Sequence, residues 1–117
     1  YEIAGLGPED MDVAEVHDAS AMGEILQSEN LGLVPLGGGG PAAERGEFTL
    51  GGRIPINPSG GFVSFGEATT AMGVFQIVEL TWQLRGQSGG RQVPGARVGL
   101  AQTNGLGGNA TAAILKK

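Results

Sequence analysis

One stretch, from Pro55 to Gly73, constrains the fold of this chain more than any other. Its sequence is Pro-Ile-Asn-Pro-Ser-Gly-Gly-Phe-Val-Ser-Phe-Gly-Glu-Ala-Thr-Thr-Ala-Met-Gly, in which a short extended entry and a glycine pair precede an amphipathic helix. Glycine adopts backbone angles that other residues avoid, so such a turn can bring bare amides and a helix N-terminus close to a ligand. The stretch therefore predicts a strand, a tight turn and the start of a helix, together forming a binding corner.

The size and composition of the chain indicate one domain with a core of its own. It has 117 residues, of which 40% are hydrophobic, and its 23 glycines occur in clusters without a regular period. This length suits a single domain and is too short for two ordinary ones. The glycine clusters therefore indicate loops and close backbone contacts.

Charge and residue types argue against several classes of function. The net charge is −5 and the seven basic residues are scattered apart from a terminal pair, which argues against a nucleic-acid partner. No apolar run approaches the roughly 20 residues of a membrane span and no leader pattern begins the chain, so we predict no membrane partner and a cytoplasmic location. The chain has no cysteine and only one histidine, so we predict no disulfide, no metal site and no cysteine nucleophile within it.

The first part of the chain shows weak signals for short elements. Tyr1–Gly5 resembles the last turn of a helix that Gly5 ends, which predicts that further chain precedes it. Met11–His17 suits a short strand, and Asp18 can accept hydrogen bonds from the first amides of a following helix. The residues at helical spacing in that helix, and the glycine that ends it, are Met22, Ile25, Leu26 and Gly32.

Residues 34–53 are predicted to form a long loop without regular structure. The segment has no hydrophobic periodicity, and it contains a run of four glycines between Pro35 and Pro41. A structureless segment of about 20 residues is longer than compact domains usually contain, and such loops tend to be functional or mobile.

The second half contains the strongest helix signal and two strand signals. In Ala71–Arg85 the apolar residues fall on one wide stripe before a glycine stop, so we predict a well-buried helix. Arg97–Thr103 and Ala110–Leu115 are predicted as strands, and the glycine-rich loop 104–109 between them favours a hairpin. The stripe of the helix consists of Val74, Ile77, Val78 and Trp82, widened by Phe75, Leu80 and Leu84.

The glycine runs and the serines do not fit two common catalytic motifs. The run Gly37–Gly40 is not followed by Lys and Ser or Thr, and Gly105–Gly108 leads into a strand where a phosphate loop needs a helix. Ser64 has Phe62 and Gly66 around it, so it lacks the paired glycines of a nucleophile elbow. The sequence therefore argues against a nucleotide-phosphate loop and against a serine triad.

His17 and Glu67 are the titratable candidates for a site, and the residues alone leave their roles open. A lone histidine is more often structural than functional, and Asp18 beside it fits a helix cap better than an acid. Glu67 follows a glycine turn at a predicted helix start, where the helix field favours the carboxylate. It is either a site residue or a solvated glutamate in the first turn.

Several spaced motifs occur together in the order found in thiolases. Over essentially its whole length, the chain resembles the C-terminal half of the sterol-carrier-protein-x and archaeal branch of that family. The resemblance implies an α/β fold for residues 1–117, with a mixed sheet and packed helices, as one of two similar five-stranded domains with the active site between them. The motifs are Val16-His-Asp-Ala-Ser20, Asn57-Pro-Ser-Gly-Gly61 with Gly66 and Gly73 after it, Gln83-Leu-Arg-Gly86, Arg91-Gln92 and Asn104-Gly-Leu-Gly-Gly108.

The resemblance implies three catalytic residues, two of which depart from the family pattern. His17 falls where this branch has a histidine and other thiolases an asparagine that helps hold an oxyanion-hole water. Relatives have Gly-His-Pro, whose histidine activates a cysteine, where this chain has Gly66-Glu67-Ala68. Thr103 stands where relatives have a cysteine or histidine that moves protons. The predicted catalytic residues are therefore Glu67, His17 and Thr103.

The resemblance also implies partners and a substrate. In relatives the nucleophilic cysteine lies in the N-terminal half, which would be a partner of this chain, and the whole protein would be a homo-oligomer. The substrate would be a coenzyme A thioester, without a bound cofactor. The predicted substrate-binding residues are Asn57, Ser59, Gly60, Gly61, Gly66, Asn104, Gly107 and Gly108.

Three functions remain as alternatives. The first is a thiolase-like acyl-CoA acyltransferase with altered chemistry, because Glu67 removes a hydrogen-bond donor and places negative charge where the transition state develops its own. That glutamate could still act as a base if burial raises its pKa. The second is a non-catalytic relative that binds an acyl-CoA or a lipid, or scaffolds a complex. The third is a retro-aldolase that works with a small zinc-ribbon and OB-fold partner, as thiolase-like aldolases of this branch do.

Overall fold

The computed structural model describes residues 1–117 as one mixed sheet of three strands with four α-helices. Short 3-10 turns occupy Glu2–Ala4, Pro8–Asp10 and Gly89–Arg91. None of the helices has both the length and the apolar character that crossing a membrane requires. In chain order the elements are β1 (Val13–Glu15), α1 (Ala21–Asn30), α2 (Gly39–Glu44), α3 (Gly61–Phe65), α4 (Met72–Arg85), β2 (Val98–Asn104) and β3 (Ala110–Lys116).

The last two strands form the predicted hairpin. The order of the sheet is β1-β2-β3, with β3 antiparallel to β2 from Val98 opposite Lys116 to Asn104 opposite Ala110. The turn between them uses positive φ at two consecutive glycines, as a tight hairpin turn requires. Together with the parallel pairing of β1 and β2, this confirms the predicted mixed α/β sheet. The sheet has three strands, so the five strands that the resemblance implied are not all present in this chain.

Three parallel backbone segments end at the same edge of the sheet. β1 pairs in parallel with β2, and Ile56 forms an isolated parallel bridge with Ala14 on the other side of β1. Parallel strands place their carboxyl ends together, and ligand sites in open α/β sheets commonly lie there. This edge therefore gathers His17, the turn that follows Ile56, and the end of β2.

Successive residues of β1 enter two hydrophobic clusters on opposite faces of the sheet. Ala14 belongs to a cluster of 11 buried residues, which includes Leu100 of β2 and Phe48 from the segment between α2 and α3. Val13 belongs to a second cluster of six, in which it packs with Leu80 of α4. Burial on both faces explains why this strand is buried throughout despite its short length.

Residues 34–53 do not form a structureless loop, so that prediction was wrong. α2 occupies Gly39–Glu44 within this segment, and Pro41 lies in its first turn. N–H groups in the first turn have no acceptor within the helix, so proline, which lacks an N–H, costs no helical hydrogen bond there. A Cβ on Gly39 would lie only 2.9 Å from the side chain of Ile25 in α1. The glycine run therefore begins a helix that packs closely on α1, and its composition hid that helix from the sequence.

α1 is capped by Ser20 and not by Asp18, so the predicted cap was wrong. The Oγ of Ser20 accepts a hydrogen bond from the N–H of Gly23 at 3.1 Å. Asp18 caps a different helix, because its Oδ1 accepts from the N–H of Phe62 at the start of α3 at 2.7 Å. The predicted stop is confirmed, since Gly32 follows the helix with a φ of 71°.

The stretch 55–73 contains one helix more than predicted. The glycine pair begins α3, with φ of 99° at Gly60 and 66° at Gly61, whereas α4 begins only at Met72. The prediction that the pair leads directly into the long helix was therefore wrong. Glu67 lies in the connection between α3 and α4 and not in the first turn of α4.

The predicted bounds of the long helix are confirmed to within one residue, but its predicted burial was wrong. Glu79 and Gln76 are buried on α4 because they are paired, with Glu79 accepting from Arg91 and Gln76 donating to the carbonyl of Gln102. Much of the predicted apolar stripe is exposed. We call this exposed surface the outer face of α4; it consists of Val74, Phe75, Val78 and Trp82.

We predict that the isolated chain self-associates through the outer face of α4, because large contiguous apolar patches are uncommon on monomers. We expect V78E to weaken this association by about tenfold or more, since a charge in the contact would have to lose its water. Its free energy of unfolding should fall by no more than about 1 kcal/mol, because Val78 is 36% exposed within the chain. Sedimentation equilibrium and urea denaturation measure the two quantities.

An exposed alanine on α2 provides the control for this prediction. A43E adds the same charge at a position outside the outer face of α4, so it should leave the association unchanged. A wild-type chain that remains monomeric at high concentration, or an equal effect of the two substitutions, would contradict the prediction.

Candidate functional site

The three predicted catalytic residues meet at the carboxyl edge of the sheet. His17 follows β1, Thr103 lies near the end of β2, and Glu67 reaches them from the connection between α3 and α4. The Nε2 of His17 lies 3.1 Å from the Oε1 of Glu67, and its Nδ1 lies 3.4 Å from the Oγ1 of Thr103. Glu67 and Thr103 lie 50 and 86 positions after His17 in the sequence, and the fold brings both of them to the imidazole.

The hydrogen bonds of His17 assign its tautomer. Its Nδ1 accepts from the backbone N–H of Asn104 at 3.4 Å, so Nδ1 carries no proton in this arrangement. The proton of the neutral ring is then on Nε2, which donates to Glu67. One carboxylate oxygen of Glu67 is held by the histidine, and the other remains free to meet a ligand.

The imidazole is held rigidly, while the carboxylate is accessible. The Phe62 ring packs edge-on against His17, with 5.3 Å between ring centroids, and the backbone N–H of His17 donates to Gln102. The side chain of His17 is only 12% exposed, whereas that of Glu67 is 46% exposed. This arrangement suits a fixed histidine that orients a glutamate able to exchange protons with a bound molecule.

A cavity of about 810 Å³ lies against this group. His17, Glu67 and Thr103 form part of its wall, between the start of α4 and the hairpin of β2 and β3. Its volume is in the range of small-molecule sites. Its other side chains are mainly apolar or threonine, among them Thr69, Thr70, Met72, Val74, Ile77, Leu106 and Thr111.

The amides of the glycine turn are occupied within the chain, so the expectation of bare amides was wrong. The N–H of Gly60 donates to the carbonyl of Asn57 at 2.9 Å, and that of Gly61 donates to the Oγ of Ser59 at 3.1 Å. The N–H of Phe62 donates to Asp18, as described above. The turn is thus secured by the chain itself, and the substrate-binding role of Asn57, Ser59, Gly60 and Gly61 stays a prediction.

Only one of the other four predicted binding residues lines the cavity. Asn104 lines it, whereas Gly107 and Gly108 lie in the hairpin turn and do not. Gly66 ends α3 with a φ of 89° and directs the chain toward Glu67. Of these four residues, the structure thus brings only Asn104 to the cavity wall.

Sequence reasoning missed a buried carboxylate, Glu15, beneath the turn. Its Oε2 accepts from the hydroxyl of Ser59 at 2.7 Å and its Oε1 accepts from the Ser59 N–H at 3.1 Å. Burial raises the pKa of Glu15 to about 7, against the opposing effect of the bonds from Ser59. The only signal in the sequence was its alternation with Val13, which placed both residues on one face of β1.

The substitution E15Q should remove a pH dependence of stability. The pKa of Glu15 rises from 4.5 to about 7 on folding, so between these values the folded chain keeps a proton that the unfolded chain releases. The free energy of unfolding should therefore fall as the pH rises through this window, by roughly 3 kcal/mol at most, at about 1.4 kcal/mol per pKa unit. Glutamine does not titrate, so E15Q should lack this decrease.

Urea denaturation of the full-length protein between about pH 5 and pH 8 measures this effect. E44Q is the control, since it makes the same chemical change at an exposed position on α2. The decrease in E44Q should match that of the wild type. An equal decrease in E15Q would show that Glu15 does not cause it.

The fold and the site together define an α/β domain with a histidine–glutamate pair and a cavity at the carboxyl edge of its sheet. A family model described as "Thiolase C-terminal domain-like" matches residues 1–117. The chain therefore belongs to the thiolase family, as a domain of the C-terminal type, which confirms the resemblance drawn from its motifs.

The relatives that this chain resembles are longer proteins. It is 51% identical over 116 residues to sterol carrier protein 2 of Rattus norvegicus, covering 99% of this chain and 21% of that protein. It is 43% identical over 118 residues to the acetyl-CoA acetyltransferase of Methanothermobacter thermautotrophicus, covering 100% of this chain and 31% of that protein. The chain thus spans between about a fifth and a third of these relatives.

A solved structure described as "Ltp2-ChsH2(DUF35) aldolase" has the same fold. The TM-score is 0.84 at 28% identity, over 99% of this chain and 29% of that one. The three-stranded sheet and its helices therefore correspond to part of a larger chain.

Proposed function

We propose that this chain is the C-terminal domain of a thiolase-like acyltransferase that makes or breaks a carbon–carbon bond in a coenzyme A thioester. The observation that supports this most strongly is the contact between Glu67 and His17 at the wall of the cavity. The similarity to an acetyl-CoA acetyltransferase supports the same reaction class. The nucleophile would come from another part of the protein, because this chain has no cysteine.

In this proposal Glu67 is the general base. Its free carboxylate oxygen accepts the proton of the attacking group, and the Nε2–H of His17 stabilises the other oxygen. The N–H of Asn104 and the hydroxyl of Thr103 hold the imidazole in the tautomer that donates to Glu67. Because a carboxylate cannot donate to a developing oxyanion, the donors for that charge would have to be groups other than Glu67.

The test is turnover by the full-length protein. A 3-ketoacyl-CoA with free coenzyme A should give two shorter thioesters, and two molecules of acetyl-CoA should give acetoacetyl-CoA and free coenzyme A; liquid chromatography measures both reactions. Turnover of neither substrate would contradict the acyltransferase proposal. Binding of the thioesters without any turnover would favour a non-catalytic acyl-CoA or lipid-binding role.

The structural likeness to an aldolase favours one second candidate, a retro-aldol cleavage. Here Glu67 would take the proton from the hydroxyl of a 3-hydroxyacyl-CoA, the bond between C2 and C3 would break, and a carbonyl compound would leave. The remaining thioester enolate would then take the proton back from Glu67 at C2. This sequence needs neither a cysteine nor free coenzyme A, so release of an aldehyde or ketone without added coenzyme A distinguishes it from thiolysis.

We further propose that the outer face of α4 packs against the rest of the protein, where an N-terminal thiolase domain would lie. Its exposed valine and aromatic side chains support a large apolar contact. A homo-oligomer, a small zinc-ribbon and OB-fold partner and a cytoplasmic location stay predictions. Copurification of the full-length protein followed by mass spectrometry tests the zinc-ribbon partner.

A further inference from the structure

We propose that the cavity beside Glu67 receives the uncharged acyl end of the thioester and discriminates against acyl groups that end in a carboxylate. This inference rests on the proposed function and deepens it, because it names the class of acyl group. Two features of the cavity support it: its charge and its apolar wall.

The charge of the cavity wall is negative. Of the 16 residues that line it, none is Lys or Arg, and Glu67 is the one acidic residue among them. The N–H of His17 is already engaged by that carboxylate, so the imidazole does not offer it to a ligand. A second carboxylate brought into this cavity would meet a like charge and no cation from this chain.

The rest of the wall suits a neutral hydrocarbon group. Met72, Val74, Ile77 and Leu106 give it apolar surface, and the volume of about 810 Å³ leaves room for a chain of several carbons. A carboxylate placed against such surface loses its water without gaining a charged partner. The phosphates of coenzyme A are excluded by the same argument, which leaves the uncharged pantetheine arm and the acyl end. The acyl end is the part we place here, because Glu67, the proposed base, lines the cavity.

The test compares two thioether probes of equal length that cannot be turned over, S-octyl-CoA and S-(7-carboxyheptyl)-CoA. Titration calorimetry of the full-length protein should give a Kd about tenfold or more lower for the octyl probe. In E67Q, which is close to isosteric, the ratio of the two Kd values should shrink to about threefold or less. E44Q removes the same charge from an exposed position on α2 and should keep the wild-type ratio.

The outcomes separate this inference from the proposed function. Equal affinity for the two probes, or a ratio that E67Q leaves unchanged, overturns the inference while thioester binding still supports the proposed function. Tighter binding of the carboxylate probe overturns the inference outright. Failure of both probes to bind contradicts the proposed function and removes the inference with it.

Discussion

E67Q in the full-length protein lowers kcat by about 100-fold to 1,000-fold and leaves KM within about threefold, if Glu67 is the base. Glutamine has nearly the same shape and still accepts a hydrogen bond from the Nε2–H of His17, so the cavity wall should keep its geometry. It cannot take a proton. The loss should therefore appear in kcat, and steady-state rates with the substrate that the wild type turns over measure it.

Two companion substitutions define what this result means. E44Q changes the same functional group on the surface of α2 and should retain the wild-type kcat. E67D keeps the carboxylate but draws it back by one methylene, so it should be slowed less than E67Q. A wild-type kcat in E67Q would remove Glu67 from the mechanism.

The second large effect is on stability, where G61A should lower the free energy of unfolding by about 3 kcal/mol or more. Gly61 has a φ of 66°, and a Cβ at this position would collide with a carboxylate oxygen of Asp18. That carboxylate cannot move away freely, because it accepts the N–H of Phe62 and caps α3. Urea denaturation of the full-length protein measures the change.

A second glycine and a double substitution control for the collision. G90A should change the free energy of unfolding by less than about 0.5 kcal/mol, because its Cβ meets no atom within 4 Å and its φ is not positive. In the D18G background, G61A should cost less than it does alone, since the oxygen that it strikes is absent. Equal stability of G61A and G90A would contradict the close packing of Asp18 on the turn.

The elements that the sequence predicted well have strong local signals. The long helix was predicted as Ala71–Arg85 and spans Met72–Arg85, because a dense apolar pattern and a glycine stop mark it. The hairpin of β2 and β3 was found because a glycine-rich loop separates two segments of strand length. His17 and Glu67 were candidates from the residues alone, but their catalytic roles and that of Thr103 came from the resemblance to thiolases. No local pattern could show that residues so far apart meet.

The features that the sequence did not predict depend on tertiary contacts. Hydrophobic periodicity shows that a helix has an apolar face, but it does not show whether other parts of the chain pack on that face. The outer face of α4 was therefore predicted to be buried. α2 was not predicted because glycine usually indicates a loop, whereas Gly39 lets α2 pack closely against α1. Asp18 was assigned to the nearest helix, yet its carboxylate reaches a helix start 44 residues away.

We expect His17 and Glu67 to act as one catalytic unit, and a double-mutant cycle on kcat measures whether they do. H17F keeps a ring against Phe62 but removes the N–H that Glu67 accepts. If the pair is one unit, H17F and E67Q each slow the full-length protein, and the double variant is about as slow as the slower single variant. Effects that multiply in the double variant, or a wild-type kcat in either single variant, would contradict the claim.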